Sequence, residues 1–221
     1  MICTPNYTHL SVLKIAVKSG KPIFVEKPMA TTLTDAAEIF HMSEHYQSFI
    51  QIGLQYRFKC QYIEAYHELI NRKVIGDIQT ISMREYRPPF LDKVDQWNKF
   101  SKNTGGTLVE KCCHFFDLMR FILKSEPTRI YASGAQDLNH LNEEYNGLVP
   151  DIIDNAFVIV DFASKKRAML DLNMFADGSW YQESLCAIGH KAKIECKIPG
   201  PTRFWPNESL GDSPMPKLIL S

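Results

Sequence analysis

The first part of the chain alternates short apolar runs with helical patterns. Ile2-Cys3 precede a helical pattern that stops at Ser19-Gly20, a typical C-terminal helix signal. Residues 22–25 form an apolar run without polar alternation, as in a parallel strand covered on both faces. A second helix, with Thr34 as its predicted N-cap, and a strand at residues 49–53 follow. The order strand, helix, strand, helix, strand predicts a parallel α/β sheet.

The pattern changes near residues 57–59. A helix predicted at residues 61–72 is followed by segments whose apolar and polar positions alternate, as in an antiparallel sheet packed on one face. The predicted strands are residues 78–86, 129–134, 155–162 and 167–175, with a hairpin over residues 183–196 and a polar surface loop at 137–151. We therefore expect an α/β fold: a partial parallel unit in residues 1–58, then an α+β domain with a mostly antiparallel sheet in residues 59–221.

Composition narrows the class of protein. The 221 residues carry 25 basic and 25 acidic side chains and are 45% hydrophobic, which argues against a disordered tail or a nucleic-acid-binding arm. No apolar stretch reaches the roughly 20 residues of a membrane span, and the first residues lack a signal-peptide pattern. We expect a cytoplasmic protein without membrane or nucleic-acid partners. The six cysteines form no C-x-x-C pair, so we expect reduced, buried thiols and no metal site.

A helix predicted from Thr107 to about residue 123 carries the most suggestive chemistry. Glu110, His114 and Asp117 fall within a sector of about 60° on this otherwise apolar helix. Two interpretations are open. The stripe is either an acid–base site facing a cleft, or a satisfied polar network that ties the helix to its neighbour.

Polar residues also follow the predicted strands of the first part. Ligands of parallel sheets bind beyond the carboxyl ends of the strands. A lysine at this edge can act as a proton donor, although a surface lysine is the simpler interpretation. The candidates are Glu26-Lys27-Pro28, Thr4-Pro5-Asn6 with His9, and Gln55-Tyr56-Arg57. Trp97 could line a sugar-sized pocket or anchor a loop.

Taken together, these segments resemble the glucose-fructose oxidoreductase / inositol dehydrogenase (Gfo/Idh/MocA) family over about residues 1–197. The matching run is Thr4-Pro5-Asn6 with His9, then residues 20–28, then Gly105-Gly106 leading to His114 and Asp117. The resemblance implies an N-terminal Rossmann domain and a C-terminal domain whose sheet often forms an oligomer interface. It also implies hydride transfer between NAD or NADP and a carbinol carbon of a sugar, cyclitol or related alcohol.

The resemblance also assigns roles to individual residues. Lys27 matches the lysine that contacts substrate and nicotinamide, and His114 matches the histidine that handles the alcohol proton. Glu110 stands where the family usually has an aspartate. The implied cofactor-binding residues are Thr4, Pro5, Asn6, His9, Glu26, Lys27 and Pro28, and the implied substrate-binding residues are Arg57, Trp97 and Asp117.

The chain also lacks a motif that the family's Rossmann domain carries. It contains no G-x-G sequence, and the Rossmann pyrophosphate-binding turn depends on one. We therefore expect a fragment of a longer protein in which NAD or NADP binding is weak or lost. Three hypotheses remain: a sugar or cyclitol dehydrogenase, a non-catalytic remnant that acts as a binding or dimerisation module, and a family member that uses NAD as a redox relay in glycoside cleavage.

Overall fold

The computed structural model describes residues 1–199 and 217–220. The chain divides into two compact units. The first unit comprises Met1–Gln55, Phe90–His114 and His140–Ile153, and the second comprises Tyr56–Pro89, Phe115–Asn139 and Asp154–Ser221. The predicted boundary at residues 58/59 divides the chain once. The two units instead alternate along the chain, because residues 90–114 and 140–153 belong to the first unit.

The first unit contains a small parallel sheet. Strand β1 (Ile23–Val25) pairs in parallel with β2 (Ile50–Ile52), and Ile2 adds a single parallel bridge to Val25. Helices α1 (His9–Ala16) and α2 (Leu33–Glu44) contribute to the same core. The buried side chains of this core are Ile2, Leu13, Ile23, Val25 and Ile39. The predicted parallel α/β arrangement is confirmed.

Local signals set the ends of these helices. Gly20 follows α1 and its 3₁₀ extension with a φ of 65°, a left-handed conformation that costs glycine little. The prediction of Thr34 as the N-cap of α2 is wrong. Thr32 has the extended backbone of an N-cap, and its hydroxyl accepts a hydrogen bond from the backbone N–H of Asp35 at 3.1 Å, whereas Thr34 already lies inside the helix.

Two short helices, preceded by a third, replace the single helix predicted to begin at Thr107. They are α4 (Ser101–Thr104), α5 (Thr107–Glu110) and α6 (Cys113–Leu123). The continuous helix from Thr107 is therefore a wrong prediction. The interruption follows Glu110, whose carbonyl oxygen accepts a hydrogen bond from the ammonium of Lys27 at 2.8 Å. A side chain distant in sequence thus donates a hydrogen bond to a carbonyl at the end of the helix, where the carbonyls lack intrahelical partners.

The second unit is built on a seven-stranded sheet. Helix α3 (Cys60–Tyr66) continues into a π-helical turn, His67–Asn71. The strands are β3 (Ile78–Tyr86), β4 (Pro127–Ala135), β5 (Asn155–Phe162), β6 (Arg167–Asn173), β7 (Tyr181–Gly189), β8 (Lys193–Pro199) and β9 (Lys217–Leu220). Their order is β4-β5-β6-β3-β7-β8-β9, and among these strands only β3 and β6 pair in parallel. The mostly antiparallel sheet is confirmed, including the hairpin at Gly189.

The two faces of this sheet differ. Alternate residues such as Val158, Leu170 and Leu185 are buried. On the opposite face, apolar side chains are exposed: Tyr131 at 51%, Phe157 at 59%, Ile159 at 45% and Met169 at 38%. The alternation predicted for one-sided packing is therefore present, but the outer face is unusually apolar.

The six cysteines are free, as predicted. Cys112 and Cys196 are buried, but Cys3 and Cys60 are exposed, so the expectation of general burial is wrong for these two. Cys3 follows the bridge residue Ile2, and Cys60 is the first residue of α3. None of the helices in residues 1–199 is long and apolar enough to cross a membrane.

Candidate functional site

A cleft of about 530 Å³ opens in the first unit beside the carboxyl end of β1. Its size is within the range of small-molecule sites. The lining residues come from the turn after Ile2, the turn after β1, the segment before α4, and the end of α5. They are Cys3, Thr4, Pro5, Asn6, Glu26, Lys27, Asp92, Lys93, Val94, Trp97 and Glu110. Seven of the residues predicted from the sequence therefore line a single cleft.

Lys27 and Glu110 form the central ion pair of the cleft. The ammonium of Lys27 lies 3.1 Å from Oε1 of Glu110 and also donates to the Glu110 carbonyl at 2.8 Å. The side chain of Lys27 is 19% exposed, and that of Glu110 is 5% exposed. Glu110 ends α5, and a cation is favourable at a helix C-terminus, where carbonyls lack intrahelical partners. The lysine is therefore held in a fixed position that remains in contact with the cleft.

Two further side chains surround the Glu110 carboxylate. The amide nitrogen of Asn6 donates a hydrogen bond to Oε2, and the ammonium of Lys93 lies 3.7 Å from Oε1. Asn6 is buried and Lys93 is half exposed. Lys27, Asn6 and Lys93 thus compensate the charge of a carboxylate that has almost no contact with solvent. An ionised group can be buried only when it has such partners.

His9 and Pro28 support the cleft rather than line it. One ring nitrogen of the buried His9 lies 2.9 Å from the carbonyl oxygen of Pro28, and the other lies 3.1 Å from that of Thr4. The ring therefore ties the turn after β1 to the turn after Ile2. Both turns carry cleft residues, so His9 fixes their spacing.

Trp97 forms an aromatic wall of the cleft. The ammonium of Lys93 lies 4.5 Å from the centre of its ring, and Tyr7 meets the ring edge-on at 6.3 Å. Asp95 and Gln96, just before it, adopt left-handed backbone conformations with φ of 54° and 53°. Such a tight bend brings Lys93 and Trp97 to the same side of the segment.

The predicted stripe of Glu110, His114 and Asp117 is divided by the helix interruption. Glu110 faces Lys27, while His114 is 2% exposed in the first turn of α6. Asp117 belongs to the second unit, where Arg57 binds its carboxylate with two hydrogen bonds of 2.6 and 2.5 Å. This bidentate pair matches the structural interpretation of Asp117 as part of a satisfied polar network. The catalytic role of His114 and the substrate-binding roles of Arg57 and Asp117 remain predictions.

Cys113, Asp92 and Lys93 were not among the sequence candidates. The sulfur of Cys113 lies 3.9 Å from the Glu110 carbonyl, which Lys27 also contacts. Burial raises the pKa of this thiol to about 11, and the Glu110 charge adds to the rise while Lys27 opposes it. Asp92 and Lys93 belong to a charged segment that precedes Trp97. Their closeness in sequence to Trp97 is the signal by which the sequence could have identified them as cleft residues.

The cleft is lined by several of the residues that the family resemblance implies for cofactor binding. It offers an ammonium, buried polar side chains and an aromatic wall at the end of a parallel strand. The glycine turn that cradles a pyrophosphate has no counterpart in the 221 residues. Thr4, Asn6 and Lys27 supply a hydroxyl, an amide and an ammonium group to the lining of the cleft.

Two family models match the sequence. The model described as an oxidoreductase family NAD-binding Rossmann fold matches residues 1–54. The model described as an oxidoreductase family C-terminal alpha/beta domain matches residues 67–206. The two matches together cover most of the chain and fall on either side of the predicted boundary.

Individual relatives agree with these models. Inositol 2-dehydrogenase from Rhizobium meliloti is 28% identical over 170 residues, which cover 77% of this chain and 48% of that protein. The rhizopine catabolism protein MocA from the same species is 28% identical over 209 residues, 93% of this chain and 59% of MocA. GenD2 from gentamicin A biosynthesis, solved in complex with NAD, shares the fold with a TM-score of 0.77 at 19% identity, over 95% of this chain and 57% of GenD2. The chain thus spans about half the length of the relatives it matches.

Proposed function

Because the chain belongs to the Gfo/Idh/MocA family of oxidoreductases, we propose that it supplies the catalytic cleft of an NAD- or NADP-dependent dehydrogenase. The substrate is a secondary alcohol of a sugar, cyclitol or related polyol. The observation that carries the proposal is the Lys27–Glu110 pair, which is held at the end of a parallel strand and lines a ligand-sized cleft.

Different residues carry out different steps of the proposed alcohol oxidation. Two of the three N–H donors of Lys27 are used by Glu110; among residues 1–199 no other acceptor is seen, and we assign the third donor to the oxygen of the reacting alcohol. Lys27 then stabilises the negative charge that develops on that oxygen, and Glu110 with Asn6 orients the lysine. On the family resemblance we assign the hydroxyl proton to His114, four residues after Glu110, because an imidazole is a suitable acceptor near neutral pH. The cofactor, when bound, accepts the hydride from the carbinol carbon.

Other parts of the proposal concern binding and assembly. Trp97 packs against the apolar face of the sugar ring, while Thr4, Pro5, Asn6, His9, Glu26 and Pro28 shape the nicotinamide end of the cleft. The exposed apolar face of the sheet, with Tyr131, Phe157 and Ile159, forms a homo-oligomer interface. The six free thiols agree with a cytoplasmic location.

The absence of a G-x-G turn favours a second candidate, a non-catalytic module that assembles through this same sheet. Titration of the chain with NADH, followed by fluorescence, together with turnover assays on inositols and hexoses, separates the two. The dehydrogenase proposal expects weak NADH binding, stronger binding once a glycine-rich phosphate-binding segment is fused upstream, and turnover that His114→Asn removes. A chain that dimerises but shows neither NADH binding nor turnover, even with the added segment, supports the module.

A further inference from the structure

Asp92 is the most exposed of the carboxylates that line the cleft. Its side chain is 71% exposed, whereas that of Glu110 is 5% exposed. An exposed aspartate in an irregular segment ordinarily samples several rotamers. Here one oxygen, Oδ1, lies 3.0 Å from the ammonium of Lys99, so its orientation is fixed from the protein side.

Lys99 is a buried cation with a full set of partners. Its side chain is 4% exposed. Its ammonium lies 3.0 Å from Asp92, 2.9 Å from Oε2 of Glu143 and 2.8 Å from the hydroxyl of Tyr145. An ammonium has three N–H donors, and these three acceptors match them in number. Burial alone lowers the pKa of Lys99, but the hydrogen bonds outweigh it and hold the pKa above its usual value.

The far side of Lys99 is fixed by the segment His140–Tyr145, which belongs to the loop predicted as a polar surface segment. Oε2 of Glu143 accepts from Tyr145 at 2.8 Å and lies 2.9 Å from Nδ1 of His140. Burial opposes ionisation of Glu143, but these bonds together with Lys99 lower its pKa to about 2. The segment therefore offers Lys99 a charged, ordered anchor.

We propose that Lys99 is a positioning residue that holds Asp92 at the cleft, where the second carboxylate oxygen accepts hydrogen bonds from substrate hydroxyls. A fixed carboxylate is a suitable acceptor for neighbouring hydroxyls of a neutral polyol, and together with Glu26 and Glu110 it disfavours an acidic substrate. The inference rests on the proposed dehydrogenase function and extends it to the group that selects the substrate.

The kinetic test uses Asp92→Asn, Lys99→Met and the double variant, with myo-inositol as the probe. Loss of a hydrogen bond to a charged group corresponds to an increase in KM of about tenfold or more. We expect that increase in both single variants with little change in kcat, and no further increase in the double variant, because Lys99 acts through Asp92. Tyr145→Phe, which removes one of the three partners, gives a smaller increase. Lys14→Met, which removes an exposed ion pair with Glu38, leaves KM unchanged.

A second measurement does not depend on turnover. Hydrogen–deuterium exchange of the intact chain should show myo-inositol protecting residues 91–97 in the wild type and not in Asp92→Asn. Lys99→Met should speed exchange in residues 91–97 and 140–145. Protection without turnover supports the role of Asp92 while the dehydrogenase proposal fails. Absence of protection at saturating inositol, additive KM effects, or a loss of kcat with unchanged KM each overturns the inference.

Discussion

Two buried glutamates of this protein have similar partners and different surroundings. Glu110 in the first unit and Glu183 in the second are each 4% exposed, and each binds a lysine. Glu183 accepts hydrogen bonds from Tyr56 at 2.7 Å, from Tyr62 at 3.1 Å, and from Lys59 at 2.6 and 2.7 Å. Glu110 binds Lys27 and Asn6, with Lys93 farther away, and it lines a cleft.

The difference shows what separates a structural ion pair from a candidate site. At Glu183 the donors come from aromatic hydroxyls and a lysine that lies over the Tyr56 ring at 3.6 Å, so the carboxylate joins β7 to the segment around α3. Burial, followed by the charge of Glu183, raises the pKa of the neighbouring Tyr62. At Glu110, Lys27 directs two of its three N–H donors to the glutamate and also lines the cleft. Burial and charge pairing are common to both, so it is access to the cleft that marks Glu110 as part of a candidate site.

The largest effect we expect is on stability, from Glu183→Leu. The substitution removes the acceptor of four hydrogen bonds in the second unit, two of them from buried tyrosines. Breaking such a pair costs about 3–5 kcal/mol. Urea unfolding measures the change. Glu126→Gln, on an exposed pair with Arg120, serves as the control and should leave stability nearly unaltered. A loss no greater than the control's would show that Glu183 is not a structural centre.

The second prediction concerns Lys27→Met, for which we expect a large loss of turnover and only a small loss of stability. Lys27 is 19% exposed and stabilises a single carboxylate, so the folded state should tolerate its loss better than the loss of Glu183. Turnover of a polyol should fall about 10²–10³-fold, because the developing negative charge loses its partner. Lys21→Met, an exposed lysine of the same segment, is the matched control. Equal effects of both lysines on turnover would remove Lys27 from the site.

Most of the fold followed from the sequence because its signals are local. The apolar run that became β1 and the alternating pattern of β5 and β6 depend only on neighbouring residues, and their bounds were predicted within a few residues. Thr32 was missed as the cap of α2 because two other threonines stand nearby and only backbone geometry selects among them.

The site was predictable where a motif marked it and not where contacts distant in sequence made it. Motifs in the sequence identify Lys27 and Glu110, but the helix interruption after Glu110 coincides with a contact from Lys27, a side chain 83 residues away. Asp92 and Lys99 carry no motif, and their pairing depends on Glu143, which comes from a polar loop. No local pattern encodes such a network, since each member is an ordinary charged residue until the chain folds.

The smallest effect we expect is a difference in the alkylation rates of two cysteines, one near each of the two glutamates. Cys113 lies near Lys27 and Glu110, and burial with the Glu110 charge raises its pKa to about 11. Cys196 lies near Glu183, and burial with that charge raises its pKa to about 12. Cys113 is half-buried and Cys196 is fully buried.

We therefore expect iodoacetamide at pH 9 to label Cys3 and Cys60 first, Cys113 next and Cys196 last, as followed by mass spectrometry. The thiolate is the reactive form, so both the higher pKa and the deeper burial slow Cys196. A ligand in the cleft should slow Cys113 alone, which makes Cys196 the internal control. If Cys196 reacts as fast as Cys113 in the folded protein, the region around Glu183 is as open as the region around Glu110, and the distinction between them fails.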